Sequence, residues 1–184
     1  AKGGMAHFAI IAPPLKGHYR PLSFLAAELI GRGHRVSFVH HPDAGSLVEA
    51  TGAGFEAIGA SEPPVAGWTR PMARIRGLSG MSGAFGGMVR FTDMFCREGP
   101  EALRRIGADA VLADQMEAGG ALVAEHLGLP FASVAVTLPI NRELSVPPPY
   151  VGWAFQAGEK GRKRNAGGWR VTDRFGKPMQ EPKH

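Results

Sequence analysis

Two residues of this chain have the types and the setting for proton-transfer chemistry, His18 and Asp114. His18 follows the tight loop Pro13-Pro14-Leu15-Lys16-Gly17, with Gly17 immediately before it, and Asp114 closes the apolar run 110–113. A carboxylate at one nitrogen of an imidazole fixes the tautomer. It also stabilises the imidazolium that forms when the other nitrogen takes a proton. That is the chemistry of a general base. A helix N-terminus behind His18 disfavours the cation and Asp114 favours it, and the sequence leaves that balance open. Each residue also has a plainer role. A histidine before a helix packs against it or sits on the surface, and an aspartate at a strand end caps the next helix.

The surrounding pattern is that of a parallel α/β sheet. Residues 7–12 form an unbroken apolar run bounded by Pro13-Pro14, as in a strand buried on both faces. Pro21 suits the first turn of a helix. Leu22, Leu25, Ala26, Leu29 and Ile30 then share one face until Gly31 and Gly33 end it. Residues 35–40 read as a second strand, 43–52 as a helix capped by Asp43, and 55–58 as a third strand. A long Pro/Gly-rich loop over 59–80 precedes a helix carrying Met81, Phe85, Met88, Phe91 and Phe95, and Pro100 restarts a helix through Ile106. A strand at 110–113, a helix at 118–127 and a strand at 131–136 follow. This alternation predicts right-handed crossovers and a Rossmann-like, doubly wound parallel sheet of order 3-2-1-4-5. Strands 1 and 4 are neighbours in that order. His18 and Asp114 then share the carboxyl rim, where open α/β sheets bind ligands.

The 184 residues suffice for one domain with a proper core. Hydrophobic residues are 44% and charged residues 20%, ordinary for a globular protein and unlike a fibre. The single cysteine, Cys96, has no internal disulfide partner, and with no signal peptide it points to a reducing cytoplasm. No apolar run approaches the roughly 18 residues of a membrane span. The net charge of +5 is dispersed apart from a knot at Lys160, Arg162, Lys163 and Arg164. No aromatic-interleaved basic motif accompanies it, which argues against nucleic acid. His34, His40 and His41 lack carboxylates at metal-ligand spacing and read as strand-edge residues, so no metal is expected. The loop at 13–17 has neither the GxGxxG glycines of a dinucleotide site nor a Walker A pattern, so no nucleotide cofactor is expected there. Residues 1–4 read as an expression scar, 5–155 as the folded domain, and 156–184 as a basic, Gly-containing tail or linker with one helix near 166–176.

The stretch from Pro13 to Leu22, followed by Gly31-Arg-Gly-His34-Arg-Val-Ser-Phe38, resembles the opening of glycosyltransferase family 1, the UDP-glycosyltransferases of GT-B fold. Asp109-Ala-Val-Leu-Ala-Asp114-Gln is similar to the family's strand bearing the histidine-orienting aspartate. Four segments are similar to its carotenoid-glucosylating branch: Asp114-Gln-Met-Glu-Ala-Gly-Gly120, Leu138-Pro-Ile-Asn141-Arg-Glu143, Pro147-Pro-Pro-Tyr-Val-Gly-Trp153 and Gly161-Arg-Lys-Arg-Asn165. The resemblance runs from Met5 to about Phe175. It implies inverting transfer of glucose from UDP-glucose to a carotenoid hydroxyl, with His18 deprotonating the acceptor and Asp114 orienting His18. Family members carry a second domain with the nucleotide-sugar signature. The resemblance therefore implies that this chain is the N-terminal acceptor half, that its missing partner is the C-terminal domain holding UDP-glucose, and that the chain alone does not turn over. Two alternatives stay open at this point. One is a transferase for another apolar acceptor, such as a macrolide, flavonoid or sterol. The other is a non-catalytic apolar-ligand module of the same fold.

An apolar hydroxylated acceptor needs an apolar groove with few polar groups. The stripe Met81, Phe85, Met88, Phe91 and Phe95 suits such a lining, as do Trp68 and the loop bearing Asn141. The same periodicity suits a helix packed into the core, and both readings stand. The knot at 160–164 reads either as a solvated linker or as a peripheral contact with anionic lipid at the inner membrane face.

Overall fold

A computed structural model describes residues 4–48, 51–66, 77–137, 142–148 and 151–180, apart from the side chains of 77–85, 172 and 175–180. The chain divides into two compact units at Val136 and Thr137.

The first unit is built on five strands: β1 (His7–Ile11), β2 (Arg35–His40), β3 (Gly54–Ala57), β4 (Ala110–Asp114) and β5 (Phe131–Val134). All pairings are parallel, in the order β3-β2-β1-β4-β5. The sheet order is the expected one, and helical or turn segments join the parallel neighbours. The crossovers are α1 (Lys16–Gly31), a 3-10 turn at Pro42–Leu47, α2 (Gly77–Ile106) and α3 (Ala118–Leu127). The side-chain alternation of β1 divides the core into two layers. Ala9 and Ile11 join Phe91, Phe95, Leu103, Val111 and Val123 on one face. Ile10 joins Tyr19, Leu22, Ala26 and Phe38 on the other. At the amino rim His7 is buried, its Nδ1 bonded to the Ile106 carbonyl at 2.8 Å and its Nε2 to Ser37 Oγ at 2.9 Å.

Several local expectations are corrected. Pro21 does not open α1. The helix starts at Lys16, with Leu15 at the N-cap position and no side-chain cap, and Pro21 lies inside it. The proline removes one rung of the ladder, the bond to the Gly17 carbonyl. Burial of Tyr19 before it and of Leu22 and Ala26 after it keeps the helix continuous. His18 consequently belongs to the first turn of α1 rather than to the loop. Pro100 likewise lies inside α2, because Phe91, Met94 and Phe95 before it and Ala102 and Leu103 after it enter the same core. Of the expected helix at 43–52, the described residues form the 3-10 turn, and its cap is His41, whose Nδ1 accepts from the Asp43 N–H at 3.3 Å. His40 ends β2 and His41 follows it, and both are buried. His40 is wedged edge-on against Phe91 and Phe95, with ring centroids 4.9 and 5.4 Å away.

In the second unit the helix expected near 166–176 is present and longer. This helix, α4, runs over Gly158–Gln180. Its order comes from two stretches of chain laid antiparallel along it. On one side Arg142 pairs with Asp173, the Glu143 carbonyl accepts from Trp169 Nε1 at 3.1 Å, and the Leu144 carbonyl accepts from Asn165 Nδ2 at 3.1 Å. On the other side Trp153 and Pro148 lie against Gly168, Arg164 donates to the Ala154 carbonyl at 2.7 Å, and Gln156 lies against Gly161. A side chain at Gly161 would overlap the Gln156 carbonyl, so the close approach needs glycine there. Polar anchors and small residues order this helix, not an apolar stripe.

Candidate active site

β1 and β4 are hydrogen-bonded neighbours, with Ile11 opposite Ala113. Both end at the carboxyl rim. The chain leaving β1 turns at Leu15, whose carbonyl accepts from the His18 and Tyr19 N–H groups at 2.9 and 3.0 Å. This fixes His18 in the first turn of α1 with its ring over the end of β4. There His18 Nδ1 lies 2.8 Å from Asp114 Oδ2. Asp114 is fully buried at its side chain, whereas 13% of the His18 side chain remains exposed.

Both carboxyl oxygens of Asp114 are used. Oδ2 accepts from the imidazole, and Oδ1 accepts from the Met116 N–H at 2.8 Å. The Asp114 carbonyl accepts from the Glu117 N–H at 2.9 Å, which closes a turn after β4. The carboxyl group therefore cannot swing, and the proton sits on His18 Nδ1 facing it. Nε2 keeps its lone pair and is the atom available to take a proton.

Behind the pair lies a group that sequence reading missed. Glu117 is buried and caps α3, accepting from the Gly119 N–H at 3.2 Å and from Thr92 Oγ1 at 3.4 Å. Burial pushes its carboxyl up to about 8, against the lowering effect of those two bonds and with a further raise from Asp114. At neutral pH it holds a proton. Glutamate is uncommon among N-cap residues, so nothing in its position advertised the role. Tyr19 stacks on Phe38 at 5.1 Å, and burial followed by the nearness of Glu117 pushes its phenol above the ordinary range.

The other expected site residues fall elsewhere. Gly17 is in the first turn of α1 with open space around its Cα. Met88 is buried, and Phe91 and Phe95 belong to the core beneath α2 and α3. Trp68 and Asn141, and the side chains of Met81 and Phe85, lie outside the described residues. A hollow of about 460 Å³ opens along another part of α1, between Arg20, Phe24, Leu47 and Thr51, and includes neither His18 nor Asp114. Among the described residues no group of three or more His, Cys, Asp or Glu side chains lies together to hold a metal. No helix among them is long and apolar enough to cross a membrane.

No family model matches the chain. It is 42% identical over 172 residues to a zeaxanthin glucosyltransferase of Pantoea ananas, and the match takes in 92% of this chain. The chain resembles glycosyltransferases. A zeaxanthin glucosyltransferase of Pseudescherichia vulneris is 35% identical over 171 residues. The chain spans about 40% of the length of both curated relatives. Among solved structures, the glycotransferase of kitacinnamycin superposes on 99% of this chain and 42% of its own, with a TM-score of 0.61 at 19% identity. The fold is that of the N-terminal domain of a GT-B glycosyltransferase.

Proposed function

We propose that the chain is the acceptor-binding half of an inverting glycosyltransferase that moves glucose from UDP-glucose to a hydroxyl of an apolar, carotenoid-like acceptor. The observation that carries this reading is the buried Asp114 carboxyl 2.8 Å from His18 Nδ1, on a rim with the imidazole still partly open. His18 Nε2 takes the acceptor hydroxyl proton. The oxygen attacks the anomeric carbon from the side opposite the donor's diphosphate. The glycosidic bond forms as the bond to UDP breaks, and UDP leaves with the electron pair. Asp114 holds the imidazole in the competent tautomer and stabilises the imidazolium. The carotenoid acceptor is argued by likeness to the two relatives, both zeaxanthin glucosyltransferases. The nucleotide-sugar site belongs to a second domain, so the donor is held mainly outside this chain.

The test uses the full-length protein, with UDP release measured against zeaxanthin, a macrolide aglycone and a flavonoid. The wild type should turn over zeaxanthin in preference. His18→Ala and Asp114→Asn should each lower kcat by about 100-fold to 10,000-fold, the usual worth of a positioned base. Near-normal turnover by His18→Ala would refute the assignment of the base. Preference for another acceptor would refute the carotenoid reading alone.

A further inference from the structure

The outward face of α4 has no role in the chemistry above. The helix carries seven Lys or Arg residues against two acidic ones. Both acids are engaged: Glu159 pairs with Lys163 at 2.7 Å, and Asp173 pairs with Arg142. At about 100° per residue, Lys160, Lys163, Arg170 and Arg174 fall within an arc of about 80°. Gly161, Asn165, Gly168 and Trp169, all buried, occupy the opposite side. The four cations are exposed, and among the described residues Lys160, Arg170 and Arg174 form no ion pair. They form a straight stripe about 21 Å long.

An apolar margin runs beside it. Val171 is 54% exposed and lies next to the stripe on the helix. The segment from Trp153 to Gln156 runs along that same side, held by Arg164 and Gly161. It presents Phe155 at 68% exposure and Trp153 at 40%, the latter beneath the Arg164 guanidinium at 5.2 Å. Exposed aromatic and aliphatic side chains bordering a row of cations on one straight helix form the surface of an interfacial helix. A plane of anionic headgroups satisfies the charges and admits the apolar margin together. A nucleic acid satisfies the charges and leaves Phe155 and Val171 in water.

We propose that this face of α4, with the Trp153–Phe155 edge, docks the protein on a membrane surface rich in anionic lipid. The docking does not depend on the proposed reaction, and its test needs no turnover. The purified chain is sedimented with vesicles of phosphatidylcholine alone and with vesicles containing phosphatidylglycerol, at low and high salt. It should bind the anionic vesicles selectively and lose most of that binding in high salt. Lys163→Gln, Arg170→Gln and Arg174→Gln together should weaken it by about 100-fold. Phe155→Ser should weaken it several-fold while leaving its salt dependence unchanged. Far-UV circular dichroism confirms that both variants keep α4. Equal binding to the two vesicle types, or none, overturns the proposal. So does tighter binding to duplex DNA than to anionic vesicles with no effect of Phe155→Ser, which would assign the stripe to a nucleic acid.

Discussion

Replacing Glu117 by Gln should change how the stability of this protein depends on pH. The carboxyl has an ordinary value of 4.5 when unfolded and is pushed up to about 8 by burial in the folded chain. Below pH 4.5 both states hold the proton and the burial carries no penalty. Between 4.5 and 8 the unfolded chain has released its proton and the folded chain has not. The unfolded state binds fewer protons there, so folding stability falls as pH rises, by about 1.4 kcal/mol per unit. Across the whole window the loss approaches about 5 kcal/mol. Opening of the site to water when Glu117 ionises reduces this, to no less than about 2 kcal/mol. Glutamine keeps an oxygen for the Gly119 N–H and cannot ionise. The two proteins should therefore match near pH 4.5, and Glu117→Gln should be the more stable by about 2–5 kcal/mol above pH 8. The assay is urea unfolding followed by far-UV circular dichroism at several pH values across that window, read as the difference between the proteins. Groups distant from Glu117 titrate alike in both and cancel. A difference that stays flat with pH, or one in which the wild type gains, would refute the reasoning.

Two further predictions concern the core. His40 is held neutral and pushed down to about 3, first by burial and then by His41, so stability present above pH 6.5 is lost as pH falls through 3. His40→Asn, which keeps an acceptor for the His41 N–H, should be less stable at neutral pH yet show a shallower acid limb; parallel acid-unfolding curves would contradict this. Gly120 sits in α3 where a Cβ would lie 3.0 Å from Ala113 Cβ and 3.1 Å from Ile11. Helix propensity alone favours Gly120→Ala by up to about 1 kcal/mol, whereas overpacking against the sheet opposes it by about 1–3 kcal/mol. A lowered midpoint in thermal unfolding is expected, and a raised one would show that α3 shifts outward freely.

The parts legible in the sequence were those set by periodicity and handedness. The apolar run at 7–12 and the alternation of short strands with helices led to the sheet order, and the order made His18 and Asp114 neighbours. The illegible parts were those where tertiary packing overrode a local signal. Pro21 and Pro100 are punctuation by their own chemistry, yet buried residues on either side carry the helix through both. Glu117 looks like any surface acid until Thr92 and Gly119 close around it. α4 has no apolar face to read, because Asn165, Trp169 and two close-approach glycines give it its contacts.

The pairing of β1 with β4 has a consequence for how such proteins can be rebuilt. His18 and Asp114 both lie within the first unit, and their spacing depends on strand register and on the turn at 114–117. Among the described residues, the side-chain bonds of the pair stay within that unit. A chimaera that joins this sheet to a foreign second half would inherit the His18–Asp114 pair intact. Its failures would arise at the seam rather than at His18.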